Sequence, residues 1–459
     1  MSEATIPAGR ARSETLGWAA FAVGALGVAG VFAILLALSR APFIASALPW
    51  PDDFFYRGLV VHVVFSLEVW LLGVLAFVVA LGTYDMAEGP VKLAWLGRLG
   101  QVLALVSFPC LFIPAFLPGA DPELFNYIPV IRHPLYDIGL LLLAVGILAP
   151  VVRHLVNLPG RKNKLSPLGF AASAISIAYV AALWNFLAAG IMISRVSDIV
   201  TAREEFNWGG GHILSFAYAA VMFTCWALLA RRSVGEAAIE PEAFKVGVGI
   251  VAAFTLPTLP FYFAFDVFGD KLQGAFRTLQ FGIVAPALIV AVPVFAAVVR
   301  SDGWRRGPWR DPAFTALAVS LLLFAVGGVM GLAIDASDTR TPAHYHAVIT
   351  AISVSGMGLI LTYGLEALGR PAVNPRAANA LLWLYGGGQL VASLGMFVAG
   401  GYGALRKTPT DAAPLVNVAK LGMGVHGIGA LVAIAGGAAF IVVAFRALTR
   451  HANPGDASR

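Results

Sequence analysis

The stretch Thr341-Pro342-Ala343-His344-Tyr345-His346-Ala347-Val348-Ile349 sets two imidazoles at the head of a long apolar segment. Residues two apart on a helix differ by about 200° around its axis, so one metal ion cannot take both. Two imidazoles on opposite faces of one membrane helix point to two separate cofactors, one on each side.

The rest of the chain has the same apolar character. Of its 459 residues, 59% are hydrophobic and 12% are charged, against about 25% charged in soluble proteins. Apolar runs of about 20 residues recur along the whole length, each long enough to cross a bilayer. Twelve spans are predicted, at 15–39, 58–83, 94–117, 136–153, 167–193, 208–231, 243–264, 275–299, 312–334, 342–365, 377–400 and 418–446. The fold class is therefore all-α: a polytopic membrane protein of twelve transmembrane helices forming a single transmembrane domain over 1–459. Arg10 and Arg12 precede the first span and no small-residue cleavage site follows it, which predicts a retained helix rather than a signal peptide.

Loop charge sets the orientation. With the N-terminus inside, the 31 Lys and Arg divide 20 inside to 11 outside, as the positive-inside rule requires. The inner loops hold Arg161-Lys162-Asn163-Lys164, Arg231-Arg232 and Arg305-Arg306. Both termini are expected in the cytoplasm, at a bacterial-type inner membrane. The net charge of +6 reflects this loop bias and implies no nucleic-acid partner. The two cysteines, Cys110 and Cys225, each fall inside a span and form neither a disulfide framework nor a thiolate metal motif. No inverted repeat is visible, and Gly82-Thr-Tyr-Asp-Met-Ala-Glu-Gly lacks the basic loop pattern of sugar carriers, which counts against a transporter.

Three even-numbered spans begin with histidine: His62 in the second, His212 in the sixth, His344 and His346 in the tenth. Even spans run from outside to inside, so all four imidazoles lie at similar depth below the outer surface. Cofactors held near that face would need this placement, and intramembrane ionisable groups are costly and usually functional. His133 reads as an outer-loop residue, and His154 and His451 as inner-face residues. His426 reads as a packing or polar contact.

These residues resemble the catalytic subunit of the haem–copper oxidase superfamily, which includes cytochrome c oxidase subunit I and nitric oxide reductase. Three stretches carry the resemblance: Asp338-Thr-Arg-Thr-Pro-Ala-His344-Tyr-His346, Phe55-Tyr-Arg-Gly-Leu-Val-Val-His62, and Gly400-Gly-Tyr-Gly-Ala-Leu-Arg406-Lys407. The resemblance implies two haems of undetermined type. His62 and His346 would be the axial ligands of a low-spin haem, and His344 the proximal ligand of a second, gas-binding haem. His212 would face that second haem's open side. Arg406 and Lys407 would hold haem propionates, and Asp338 would lie near them or near a structural ion. Locally, Thr341 is expected to cap the tenth helix, with Pro342 in its first turn. Gly209-Gly210-Gly211 would serve either close approach to a macrocycle or plain helix packing.

The chain departs from the family at the copper site. The family's copper has two further histidines on the seventh helix, and none exists here between His212 and His344. That stretch reads Leu256-Pro-Thr-Leu-Pro-Phe-Tyr262-Phe-Ala-Phe-Asp266. One imidazole without a thiolate holds copper weakly, so copper is expected to be altered or absent, with Tyr262 or Asp266 the remaining substitutes. The position four after His212 is Phe216, not tyrosine, and Tyr218 faces elsewhere; some family members take their catalytic tyrosine from the seventh helix, where the resemblance leaves Tyr262 as the candidate. Glu68, in an apolar run, is a candidate proton relay. Arg277, Thr278 and Gln280 could line a polar route or the haem edge. The implied function is respiratory electron transfer to O2 or NO. The electron donor would be a small membrane-anchored copper or cytochrome c subunit, because this chain has no haem-attachment motif. A non-catalytic haem gas sensor or electron conduit remains the alternative, with a transporter behind it.

Overall fold

A computed structural model describes residues 9–40, 51, 53–87, 89–158, 165–235, 238–300, 308–334, 337–407 and 415–450. The basic runs 161–164 and 305–306, and His451, lie outside the described residues. Among the described residues, twelve helices are long and apolar enough to cross a membrane. They are α1 Ala11–Ser39, α2 Phe54–Asp85, α3 Trp95–Phe116, α4 Pro134–Val156, α5 Pro167–Ile193, α6 Arg203–Ser233, α7 Pro241–Ala264, α8 Asp270–Arg300, α9 Pro312–Gly331, α10 Arg340–Ala367, α11 Pro375–Gly401 and α12 Asn417–Thr449. Each matches one predicted span. Most extend beyond the prediction because their outer turns are helical yet polar, as with Arg203-Glu204-Glu205 and Asp270-Lys271.

Five helices start by one device. His133, Ser166, Glu240, Asp311 and Asn374 each accept a backbone N–H of the first turn through the side chain, and proline follows directly. The cap satisfies a free donor, and proline sits where its missing N–H is not needed.

The chain forms two compact units: 1–25, 56–227 and 239–296 in the first, 26–55, 228–238 and 297–459 in the second. In the first unit, α3 and α4 approach closely at Gly100, where a Cβ would lie 2.5 Å from the Gly146 carbonyl. Glu14 of α1 pairs with Arg153 of α4, both buried, and Tyr84 donates to the Glu14 carboxylate at 2.8 Å. An outer hairpin of β1 Asp121–Glu123 and β2 Val130–Arg132 pairs antiparallel, Asp121 opposite Arg132.

In the second unit, α11 and α12 pack through glycines seven residues apart. A Cβ at Gly388 would lie 2.5 Å from the Ala433 nitrogen and 2.7 Å from the Gly429 carbonyl, and one at Gly395 would lie 2.5 Å from the Gly422 carbonyl. Without a hydrophobic drive between helices in lipid, such backbone contact is what holds them together.

The three most enclosed helices are α6, α2 and α10, with 94%, 83% and 83% of their apolar windows buried, while no other exceeds 56%. These three carry His62, His212, His344 and His346. Two of them contain a π-helical turn, Val64–Val69 in α2 and Ile360–Gly364 in α10, a distortion that recurs at functional sites.

Candidate functional site

In the second unit, α10 begins at Arg340, not after Thr341. Thr341 does not cap it. The Asp338 carboxylate accepts the Arg340 N–H at 2.8 Å and also pairs with the Arg340 guanidinium at 2.7 Å. A charged side chain two residues upstream supplies the cap that threonine was expected to give. Asp338 bridges to Leu405, the Thr339 N–H donates to the Ala404 carbonyl at 2.9 Å, and the Arg406 N–H to the Ser337 carbonyl at 3.3 Å. This pairing brings the turn bearing Arg406 and Lys407 beside Asp338 at the start of α10. Gly400 permits it, since a Cβ there would lie 2.5 Å from the Arg340 nitrogen.

His344 is fixed by α9. Its Nδ1 lies 2.7 Å from the Gly327 carbonyl oxygen. A carbonyl only accepts, so Nδ1 carries the hydrogen and Nε2 keeps the lone pair that binds a metal. Gly331 makes room for the ring: a Cβ there would lie 2.9 Å from both Cε1 and Nδ1 of His344. This donor chemistry fits axial ligation of a haem iron. His346 is half-buried and stacks on Tyr345 at 5.3 Å between ring centres. His426 Nδ1 meets the Ala392 carbonyl at 3.3 Å, a polar contact between α12 and α11.

In the first unit, His212 Nδ1 donates to the Trp208 carbonyl at 2.7 Å, and its Nε2 lies 2.9 Å from the Tyr127 hydroxyl. Tyr127, Trp208 and Phe276 surround the imidazole, with ring centres at 4.6, 4.8 and 5.8 Å. Tyr262 is buried and accepts the Gly209 N–H at 3.0 Å, and the Arg277 guanidinium lies 5.8 Å over the Trp208 ring. The three glycines therefore serve packing. Gly209 faces Tyr262 and Phe276, Gly210 faces Phe186, and Gly211 faces Tyr127. Asp266 closes a turn by accepting the Phe268 N–H at 3.0 Å. Burial pushes the Tyr127 phenol above the usual tyrosine range, with Glu204 pushing the same way and Arg277 opposing.

A copper ion does not fit these residues. Both His212 nitrogens are engaged, its neighbours are aromatic rings, and no group of three His, Cys, Asp or Glu among the described residues could hold a metal.

His62 is half-buried on α2, just before the π-helical turn. Glu68, within that turn, is buried and accepts the Tyr218 hydroxyl at 2.9 Å. Tyr218 thus faces Glu68, and Tyr179 reaches the Ala144 carbonyl at 2.9 Å. Tyr127 is the site residue that sequence reading missed. It lies in a loop with no periodic relation to α6, and its pairing spans 85 residues.

Helix count and lipid-scale apolar length define a polytopic helical membrane protein. The family model described as "Cytochrome C and Quinol oxidase polypeptide I" matches residues 15–443, and the chain belongs to that family of respiratory membrane oxidoreductases. It is 24% identical over 404 residues to cytochrome c oxidase subunit 1 of Thermus thermophilus, covering 78% of this chain and 70% of that one. It is 23% identical over 487 residues to an uncharacterized protein of Rickettsia prowazekii, covering 93% and 94%. A cryo-EM structure of a heme-copper terminal oxidase dimer shares the fold, with a TM-score of 0.79, 16% identity, and coverage of 97% of this chain and 86% of that one.

Proposed function

We propose that this chain is a haem-bearing respiratory subunit that passes electrons to O2 or NO at a haem ligated by His344, without a histidine-held copper. The orientation of His344 carries this reading: its Nδ1–H is spent on the Gly327 carbonyl, so Nε2 would hold the haem iron. The bound haem supplies electron transfer and gas binding. His62 and His346 are assigned to a second, electron-transferring haem from the motif order in the sequence. Arg406 and Lys407 pair with propionates, and Asp338 holds their turn against α10. Glu68 is a proton-holding carboxyl whose hydrogen-bond partner is Tyr218. Electrons come from a membrane-anchored donor subunit, because both cysteines of this chain are buried and no haem-attachment motif is present.

A second reading, a haem gas sensor or electron conduit, is favoured by the aromatic enclosure of His212, which offers no second metal. Turnover of O2 or NO by purified protein with an artificial reductant separates the two.

The test is haem and copper content per purified chain, with carbon monoxide binding. Two haems, negligible copper, and loss of carbon monoxide binding in His344→Ala are expected. His62→Ala should lose the low-spin spectrum while keeping carbon monoxide binding. A haem-free preparation, or full binding in His344→Ala, would refute the reading.

A further inference from the structure

The loop 124–129 reaches the first turns of α6 through three anchors. The Glu204 carboxylate accepts the Asn126 N–H at 3.3 Å and the Asn126 side-chain amide as well. Asn207 Nδ2 donates to the Ile128 carbonyl at 3.3 Å. The Tyr127 hydroxyl meets His212 Nε2 at 2.9 Å. Glu204 and Asn207 are three apart, and Glu204 and His212 eight apart, so the anchors lie toward one side of the helix. Below the loop, Glu123 of β1 pairs with Arg132 of β2 and lies 3.7 Å from Arg203 of α6, which also pairs with Asp137 at 2.8 Å.

Held this way, Tyr127 adopts φ +65°, one of three non-glycine residues in the left-handed region among the described residues. That conformation is disfavoured for an aromatic residue and persists only where its surroundings impose it. What it achieves is specific. His212 has one hydrogen, on Nδ1, committed to the Trp208 carbonyl. Nε2 can then only accept, and the phenol donates to it. With Nδ1 donating to the Trp208 carbonyl and Nε2 accepting from Tyr127, neither ring nitrogen offers a free lone pair to a metal.

We infer that Tyr127 is a specificity-determining residue of this site: the outer hairpin seats its phenol on His212 Nε2, making that imidazole a hydrogen-bond acceptor that refuses a metal ion. The inference deepens the copper-free reading above and rests on it for its functional meaning. A metal approaching Nε2 must first break the Tyr127 hydrogen bond and displace a ring packed against Gly211, Trp208 and the imidazole itself. The loop anchors oppose that displacement.

The experiment uses the full-length, haem-loaded chain with 15N-labelled histidine, observed by solid-state NMR with and without added Cu2+. In the wild type, His212 should appear as the Nδ1–H tautomer with Nε2 shifted as a hydrogen-bonded acceptor, and sub-stoichiometric Cu2+ should leave its signals sharp. Tyr127→Phe keeps the ring and its packing. It should move Nε2 to the free position and tighten copper binding at His212 by about 2- to 10-fold, the worth of one hydrogen bond no longer opposing it. A wild-type Nε2 already free or metal-bound overturns the inference without needing the variant. So does equal copper broadening in both proteins. Haem content, measured on the same samples, reports separately on the functional reading: haem loss would sink that reading and leave the His212 tautomer assignment standing.

Discussion

Gly331→Ala isolates the orientation of His344 from everything else in the site. The added Cβ would sit 2.9 Å from both Cε1 and Nδ1 of the imidazole, where carbon–carbon contact is comfortable at about 3.5–4.0 Å. The ring must retreat by roughly 0.5–1 Å. Its Nδ1 is 2.7 Å from the Gly327 carbonyl, so a retreat of that size stretches the hydrogen bond to or past its limit of about 3.2 Å. Losing that bond costs about 0.5–1.5 kcal/mol, and the overpacking costs about 1–3 kcal/mol. Together these are about 1.5–4.5 kcal/mol against the ligating geometry, or roughly a ten- to thousandfold loss in haem affinity at His344. Gly328→Ala is the matched control, because nothing lies within 4 Å of its added Cβ. Gly328 is helix-interior, where alanine gains about 1 kcal/mol in helix propensity, and Gly331 is the last residue of α9, where the gain is smaller. The helix should thus be no less stable in either variant while haem binding falls in only one. Haem content and carbon monoxide difference spectra read the outcome. Equal haem content and equal carbon monoxide affinity in the two variants would refute the claim that the Gly331 gap and the Gly327 carbonyl set the ligand.

Arg153→Leu leaves the Glu14 carboxylate buried without its cation, and should destabilise the protein by about 3–5 kcal/mol. Glu14→Leu with Arg153→Leu should recover most of that loss, and a thermal-unfolding cycle in which the double variant is no better than the single excludes the pairing as its source. Gly429→Val drives a branched side chain into the Gly388 carbonyl, 2.7 Å from the added Cβ. It should cost at least about 1–3 kcal/mol, whereas Gly427→Val, with open space beside it, should cost little; equal melting temperatures would contradict close α11–α12 contact.

The membrane architecture was legible because its signal is local. A run of about 20 apolar residues announces a span by length alone, and five cap–proline pairs mark helix starts in plain sequence. The three most enclosed helices are the ones that carry His62, His212, His344 and His346, although nothing in the sequence reading singled them out as enclosed. What was not legible depends on partners far apart in the chain. Glu14 directly precedes the first predicted span and Arg153 closes the fourth, and their pairing spans 139 residues. Asp338 could have been recognised as the cap of α10, as its carboxylate lies just ahead of the helix. Thr341 drew attention because it directly precedes proline, a pattern that holds at five other helix starts and fails here. Gly209, Gly210 and Gly211 gave two readings of equal standing in sequence, and only the aromatic rings packed on them decide for packing.

The cost of the His212 site argues that it is kept for chemistry. A buried imidazole, a strained Tyr127 and three adjacent helix glycines are each unfavourable beside an apolar core of the same shape. If the pair is kept for chemistry rather than as a structural clamp, replacing both partners together by apolar groups should be nearly neutral for stability, because neither partner is then left unpaired. His212→Leu with Tyr127→Phe performs that replacement: it removes the ring nitrogens and the hydroxyl while conserving most of the volume, although the Trp208 carbonyl loses one donor. We expect the melting temperature of this double variant to stay near or above that of the native chain, and reduction of O2 or NO by the haem-loaded protein to fall at least tenfold. A sharp loss of stability with undiminished turnover per folded chain would show instead that the tyrosine–histidine contact is a clamp. The polar groups would then owe their place to the fold, and the distal chemistry would have to be sought among other residues.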